Sequence, residues 1–333
     1  MKISFFETEK WEQEYLEERL SGHTLSFSAK NLGPSQAKKI SDAEALGIFI
    51  YSPIDKKALD ALPRLKLVTT MSTGYNHIDL KECAKRGITV CNVPTYGENT
   101  VAEHTFALLL ALSRRIHQSY ERTSRADFSA IGLRGFDLKG KTIGVVGCGH
   151  IGRHVVRIAK GFEMNVIAYE RFPDRKLEKE LGFAHVSLEE LYRQSDIITF
   201  HVPLNDGTRH MFDADSLKKV KKGVTILNTS RGEIIDTNAL IKGLESKAIG
   251  SAGLDVLEGE CLIREEKQVI DQNFKKECDL RQVLRNHVLL KMQNVLITPH
   301  NAFNSQEALE RILNTTIENI EAFAKGMPVN IAK

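Results

Sequence analysis

Short apolar runs and helical stretches alternate along the first hundred residues. Runs of strand length stand at 3–6, 46–51 and 67–70, a further run at 90–94 closes the series, and 9–20 reads as a helix. Alternation of this kind predicts a parallel α/β sheet. A longer helix is expected from about 99 to 116, with Val101, Phe106, Leu109, Leu110 and Leu112 at its apolar positions. The alternation resumes at Lys141, with strands expected at 143–146, 165–169, 197–201, 225–228, 253–256 and 295–298 and helices between them. That is the doubly wound pattern, whose ligand site lies at the carboxyl ends of the strands. The stretch 261–290 is charged and helical in pattern without a catalytic signature, and reads as a surface insertion or flap. The last amphipathic stretch, 305–325, stops at Gly326 ahead of Pro328.

One strand-to-helix turn carries chemistry. The run 143–146 leads into G-x-G-x-x-G at Gly147, Gly149 and Gly152, a helix is expected over 154–161, and the next strand ends in the acid Glu170. The first glycine permits the tight turn, the second lets the backbone approach a pyrophosphate, and the third lets helix and strand pack closely. Glu170 stands near the spacing, about 20 residues on, expected for an acid on the adenosine ribose. Its carboxylate would accept from the ribose hydroxyls and repel a 2′-phosphate, so NAD is the expected cofactor. Arg171 beside it leaves some use of NADP open. Polar clusters recur at later strand ends: His201-Val202-Pro203, Asn228 to Gly232, Asp255, and Pro299-His300. Several such groups arriving at one sheet edge look like a site.

Bulk properties narrow the classes. A chain of 333 residues should form about two domains. Its net charge of +3 is spread along the chain and implies no nucleic-acid or acidic-surface partner, and the lysine cluster at 218–222 reads as a solvated helix end. The five cysteines form no C-x-x-C pair and no metal spacing with histidine, so no metal is expected and the thiols read as reduced, in the cytoplasm. The N-terminus lacks a signal peptide's apolar core, and the longest apolar helical run, 106–112, is far below the ~18 residues of a membrane span.

Three ionisable residues stand out: Arg231 in N-T-S-R-G, Glu260 in G-L-D-V-L-E-G-E, and His300 in T-P-H-N-A-F. A nicotinamide enzyme acting on a 2-oxo acid needs a fixed cation to orient the substrate and polarise its carbonyl, an acid for the forming hydroxyl, and a carboxylate to hold that acid's tautomer. Arginine suits the first role through its planar fork. A histidine paired with a glutamate suits the other two. Taken singly, each also has an ordinary reading as a surface charge, a solvated carboxylate or a turn cap.

At these residues the chain resembles the D-isomer-specific 2-hydroxyacid dehydrogenases, over essentially its whole length. The matching segments are S-T-G-Y-N-H-I-D from Ser72, V-P-T-Y-G-E-N-T-V-A-E-H from Val93, G-C-G-H-I-G, S-D-I-I-T-F-H-V-P-L from Ser195, N-T-S-R-G-E-I-I-D, G-L-D-V-L-E-G-E and T-P-H. The resemblance implies a catalytic triad of Arg231, Glu260 and His300. It implies a Rossmann NAD-binding domain over 99–299, inserted in a discontinuous flavodoxin-like substrate domain of 1–98 plus 300–333, with the active site in the cleft. The cofactor-binding set is then Gly147, Gly149, His150, Ile151, Gly152, Glu170, Val202, Pro203, Thr208, Thr229, Ser230 and Asp255. Dimerisation would use the helix near 101–116 and the arm after it.

Within the family the likeness is strongest to the D-lactate dehydrogenase branch. Tyr51, Tyr96 and Phe303 match aromatic positions of its small pocket, and the backbone amides around Thr73 and Gly74 would bind the substrate carboxylate with Arg231. The expected reaction is NADH-dependent reduction of a small 2-oxo acid, pyruvate to D-lactate first. Met71 and Thr73 depart from many relatives, which keeps larger 2-oxo acids such as phenylpyruvate and 2-oxoisocaproate, or a phosphoglycerate or glycerate type of substrate, as alternatives. From another class, an NAD-sensing corepressor would need partner-binding extensions, of which this chain has almost none.

Overall fold

Among the described residues, 1–259 and 280–332 of the computed structural model, every strand-to-strand pairing is parallel. The strands form two separate sheets, and the chain divides into two units: Met1–Tyr96 with Ser305–Lys333, and Gly97–Asn304.

The first unit is built on β1 (Lys2–Phe6), β2 (Thr24–Ser28), β3 (Ala45–Ile48), β4 (Leu67–Thr70) and β5 (Thr89–Cys91), in the spatial order β2-β1-β3-β4-β5. This is the flavodoxin-like order. All four positions of β3 and of β4 are buried, as expected for parallel strands covered on both faces. The helix Gln306–Ala324 returns the C-terminal chain to this unit, with the Ser305 hydroxyl accepting from the amide of Ala308 as its N-cap. Its buried Asn319 donates to the Asn92 carbonyl at 3.0 Å and to the Thr69 hydroxyl at 3.3 Å, and accepts from Asn330 at 2.9 Å. A buried amide satisfied in this way fixes the helix against β4 and the chain after β5.

The second unit carries β6 (Thr142–Val146), β7 (Asn165–Tyr169), β8 (Ala184–His185), β9 (Ile197–Phe200), β10 (Val224–Asn228), β11 (Ile249–Leu254) and β12 (Val295–Ile297), in the order β12-β11-β10-β9-β6-β7-β8. This is the Rossmann order with one strand added at the edge. One face is covered by the helices Glu98–Ser113 and His150–Gly161, whose Phe106, Leu109, Val155 and Val156 share a core with Val145 of β6. On the other face Phe200, Phe212, Ile226, Leu240 and Leu254 pack together. The reversal of strand order between β6 and β9 is the switch point at which such sheets bind ligands.

Several boundaries differ from the sequence reading. The helix after the glycine loop begins at His150 rather than 154, because Gly152 lies inside its first turn. The helix expected over 99–116 ends at Ser113, and after a left-handed Arg115 (φ +52°) a second helix, Ile116–Thr123, follows. The strand expected over 46–51 ends at Ile48, since the amides of Phe49 and Tyr51 bond to the Glu7 carboxylate instead of a neighbouring strand. Two strands were not foreseen: β2, a half-exposed edge strand of mixed polarity, and the two-residue β8. Of the stretch read as a surface flap, 261–279 lies outside the described residues. The rest belongs to the helix Leu280–Lys291, which buries Gln282, Val283, Asn286 and Leu289 and packs on the helix Thr237–Glu245, so that part is no flap.

Candidate functional site

The glycine loop is shaped by close approach. Gly147 has φ +92°, and a Cβ there would lie 2.6 Å from the carbonyl oxygen of His201. A Cβ on Gly152 would lie 2.1 Å from the carbonyl oxygen of Gly147, so helix and loop can meet only at glycine. Gly149 is different: no atom lies within 4 Å of where its Cβ would be, and it caps the helix His150–Gly161. The amides of His150, Ile151 and Gly152 lie in the first turn, where backbone donors have no intrahelical acceptor and favour an anion. Space beside Gly149, facing those donors, fits the pyrophosphate of a dinucleotide.

Glu170, directly after β7, accepts a hydrogen bond from the amide of Cys148. The carboxylate expected at the ribose therefore also braces the loop. Burial, with Glu170 nearby, pushes the Cys148 thiol up to about 12, and burial takes Cys83 and Cys91 to about 11. These three cysteines are free and buried, and such thiols make poor nucleophiles.

Beyond β9, the Val202 side chain closes over Gly147. The Thr208 hydroxyl donates to the Pro203 carbonyl at 2.6 Å and accepts from the Asn205 amide at 2.9 Å, closing the turn on which Pro203 sits. Beyond β10, Asn228 organises the loop: its Oδ1 accepts from the Ser230 amide (3.0 Å) and hydroxyl (2.8 Å), and its Nδ2 donates to the Arg231 carbonyl at 2.9 Å. Thr229 is buried and shares a hydrogen bond with Thr105 at 3.0 Å. The Arg231 guanidinium donates to the Ser230 carbonyl at 2.7 Å, and among the described residues no carboxylate stands within ion-pair distance of it. Its remaining donors suit an anionic ligand.

The His300 turn hangs from Asp255. The amide of His300 donates to the Asp255 carbonyl at 2.9 Å, and His300 itself is left-handed at φ +53°. The Asp255 carboxylate, on a residue only 2% exposed, accepts from the amides of Asn301 (3.0 Å) and Ala302 (2.9 Å) and from the Thr298 hydroxyl (2.5 Å). Asp255 was expected at the cofactor; its side chain is engaged in holding this turn. Its amide in turn donates to the Asn228 carbonyl at 2.9 Å. The Arg231 loop and the His300 turn are thus tied together across the paired strands β10 and β11.

Glu260 lies outside the described residues. The carboxylate two positions earlier, Glu258, was passed over in the sequence: it sits 2.7 Å from His210 Nε2 and accepts from the Thr237 hydroxyl at 2.7 Å, while its carbonyl accepts from Asn286 at 2.9 Å. No local signal marks it, since His210 and Asn286 stand 48 and 28 positions away. Both its oxygens are occupied in anchoring the chain that leads towards Glu260. His201 also reaches a strand end, but burial pushes its pKa down to about 3. A buried histidine of this kind is unsuited to donate a proton near pH 7.

The first unit holds Tyr51, Thr73, Gly74 and Tyr96. Thr73 follows β4; its hydroxyl donates to the Val93 carbonyl at 2.8 Å and its carbonyl accepts from Asn92 at 2.9 Å. The Ser72 hydroxyl donates to the Gly74 carbonyl at 2.7 Å. Tyr51 packs edge-on against Phe49 at 5.9 Å, and the Tyr96 carbonyl accepts from Arg311 at 2.5 Å. Phe303 follows Ala302 in the His300 turn and belongs to the second unit. A cavity of about 190 Å³ in that unit is lined by Arg115, His117, Gln118 and Arg134 beside the starts of β10 and β11. It lies at the opposite strand ends from the glycine loop and is not the dinucleotide site. Among the described residues no three His, Cys, Asp or Glu side chains cluster to hold a metal, and no helix is long and apolar enough to cross a membrane.

Comparison with known proteins gives one family. Residues 106–302 match the model of the D-isomer specific 2-hydroxyacid dehydrogenase, NAD binding domain. A 2-hydroxyacid dehydrogenase homolog of Haemophilus influenzae is 38% identical, covering 98% of this chain and 97% of its own length. The D-lactate dehydrogenase of Escherichia coli is 36% identical over 98% of both chains. Among solved structures, the pyruvate reductase of Chlamydomonas reinhardtii superimposes with a TM-score of 0.90 at 34% identity, covering 99% of this chain and 98% of the other.

Proposed function

This chain belongs to the D-isomer specific 2-hydroxyacid dehydrogenases and is an NAD-dependent oxidoreductase, and on that premise we propose that it reduces small 2-oxo acids with NADH, pyruvate to D-lactate before others. One observation carries the assignment of groups: Arg231 and His300 hang on a single string of hydrogen bonds that runs from the Arg231 carbonyl through Asn228 and Asp255 to the amide of His300. Two groups held in common can keep a fixed geometry around one small substrate.

Bound NADH supplies the hydride. Arg231 binds the carboxylate and carbonyl oxygens of the 2-oxo acid, orienting it and polarising the carbonyl. His300 gives a proton to the forming hydroxyl and takes one back in the reverse direction. Glu260 is retained as the carboxylate partner of the imidazole. The helix amides at 150–152 hold the pyrophosphate and Glu170 holds the ribose hydroxyls. Val202, Pro203, Thr208, Thr229, Ser230 and Asp255 frame the remainder of the cofactor. In the first unit the amides of Thr73 and Gly74 have no acceptor among the described residues, which suits them to the substrate carboxylate; Tyr51, Tyr96 and Phe303 are assigned to the substrate side chain.

Support for pyruvate comes from the relatives, a D-lactate dehydrogenase and a pyruvate reductase. The test is a set of initial rates with NADH over pyruvate, 2-oxoisocaproate, phenylpyruvate and hydroxypyruvate. The highest kcat/KM is expected on pyruvate. Preference for phenylpyruvate would move the substrate class and keep the reaction; no turnover with any of them would leave only a nucleotide-binding protein.

The same reading makes the protein a cytoplasmic homodimer. Ile116, Tyr120, Phe128 and Ile131 expose 56, 73, 83 and 84% of their surface along one helix and the arm after it. Large apolar side chains grouped on one segment mark an association surface, and a monomeric mass by light scattering would contradict its use by a second copy.

A further inference from the structure

We propose that His104 is a positioning residue for the His300 turn, acting through the Thr298 hydroxyl and the Asp255 carboxylate. The consequence for turnover rests on the dehydrogenase reading above; the mechanical link itself does not.

His104 projects from the helix Glu98–Ser113, and its Nε2 lies 3.0 Å from the Thr298 hydroxyl and 3.5 Å from Asp255 Oδ1. Proton counting settles the direction of these contacts. The Thr298 hydroxyl has one proton, and its oxygen is 2.5 Å from Asp255 Oδ1. The bond runs from the Thr298 hydroxyl to Oδ1, and each carboxylate oxygen also accepts from a backbone amide, Oδ1 from Asn301 and Oδ2 from Ala302. The hydroxyl proton must therefore lie on the Asp255 side, or two oxygens would face each other bare. Thr298 is then an acceptor towards His104, so Nε2 carries a proton. The order of donation is His104 to Thr298 to Asp255, and Asp255 receives the amides of Asn301 and Ala302 from its other side.

Charge points the same way. The Asp255 side chain is 1% exposed, and among the described residues no Arg or Lys lies within ion-pair distance of it. The imidazole of His104, 22% exposed, lies 3.5 Å from this buried carboxylate. Without His104 the Thr298 hydroxyl loses the donor that orients it, and the carboxylate it bonds then holds its other partners in a less defined geometry. Those remaining partners set the turn in which His300 adopts a backbone conformation that non-glycine residues rarely take. Among the described residues His104 makes no hydrogen bond or ion pair with Arg231 or the glycine loop, so its loss should leave dinucleotide binding in place.

The experiment compares full-length wild type with His104→Leu, which removes the donor, and His104→Gln, which keeps a side-chain N–H. Thr298→Val breaks the relay at its middle with almost no change of shape. Kinetics with NADH and pyruvate are measured alongside NADH affinity by fluorescence and amide hydrogen exchange at Asn301 and Ala302. His104→Leu and Thr298→Val should each lower kcat about tenfold or more, the scale of a small misplacement of a reacting group, with NADH affinity changed less than about twofold. His104→Gln should recover most of that loss. Exchange at Asn301 and Ala302 should quicken in the Leu and Val variants alone, and the double variant should resemble either single one. Additive losses in the double variant, equal losses in the Leu and Gln variants, or unchanged exchange at both amides would each overturn the proposal. A wild type inactive on all 2-oxo acids would sink the dehydrogenase reading, while the exchange measurement would still decide whether His104 holds the turn.

Discussion

The carbonyl of Asp255 accepts the amide of His300 at 2.9 Å while its carboxylate gathers the next two amides of the same turn, Asn301 at 3.0 Å and Ala302 at 2.9 Å. One buried residue thus sets both ends of the turn that carries the candidate acid. In Asp255→Asn the amide nitrogen must face a donor whichever way the side chain is turned, because both carboxylate oxygens are accepting. The variant should lose about 1–3 kcal/mol of stability, the usual cost of a buried group left without its partner. Its kcat on pyruvate should fall about 100-fold. Wild-type kcat in a folded Asp255→Asn protein would show that the turn does not need the carboxylate.

Gly149 and Gly152 should differ in what alanine costs the fold. The added methyl in Gly152→Ala meets the Gly147 carbonyl oxygen at 2.1 Å, a backbone contact that cannot yield cheaply, so thermal stability should drop together with NADH binding. In Gly149→Ala nothing stands within 4 Å. That variant should keep its melting temperature and lose NADH affinity, since the methyl occupies space meant for the pyrophosphate. Calorimetry and a fluorescence titration of both variants distinguish the cases; full NADH affinity in Gly149→Ala would place the dinucleotide elsewhere.

Glu170 should govern the choice between NADH and NADPH. Its charge repels a 2′-phosphate, Arg171 stands next to it, and its carboxylate also accepts the Cys148 amide. Glu170→Gln keeps an acceptor for that amide and should keep stability while narrowing the ratio of kcat/KM for NADH over NADPH. Glu170→Ala should narrow the ratio and lower the melting temperature as well. A ratio unmoved by either substitution would assign the preference to another residue.

Acid should destabilise the second unit partly through His201. Its pKa falls from 6.5 to about 3 on burial, so between those values the unfolded chain binds a proton that the folded one does not. Stability from this group is complete above pH ~6.5 and declines as pH falls towards the folded value. His77 in the first unit, lowered to about 4 by burial, adds a slope of the same sign. The drop in melting temperature from pH 7 to pH 5 should be smaller in His201→Asn than in wild type. Equal drops would mean that His201 is already protonated, or exposed, in the folded protein.

Much of this was legible in the chain because the signals are local. The glycine loop, β6, β7, β9 and β10 are marked by continuous apolar runs and by glycines whose spacing follows from the turn they make. What was missed is non-local. Gln282 and Asn286 look like surface residues in a charged helix, yet they are buried because Thr237 and the Glu258 carbonyl, 45 and 28 positions away, satisfy them. The side-chain partners of Asp255, Thr298, Asn301 and Ala302, come from 43 to 47 positions downstream, so nothing near it in the sequence shows that it also holds the His300 turn. The half-exposed edge strand β2 has neither a continuous apolar run nor a clean alternation to reveal it. Hydropathy records which side chains avoid water and carries no record of which distant groups will meet.

The most direct test of the central claim is the product itself. Purified protein is incubated with NADH and pyruvate, NADH loss is followed at equilibrium and during the initial rate, and the lactate formed is resolved by chiral chromatography for wild type and for His300→Ala. The account requires D-lactate alone, in a one-to-one ratio with NADH consumed, and at least ~100-fold slower formation by the variant, the low end for removal of a general acid, with NADH affinity retained. L-lactate as the product, or D-lactate formed at the wild-type rate by His300→Ala, would contradict it.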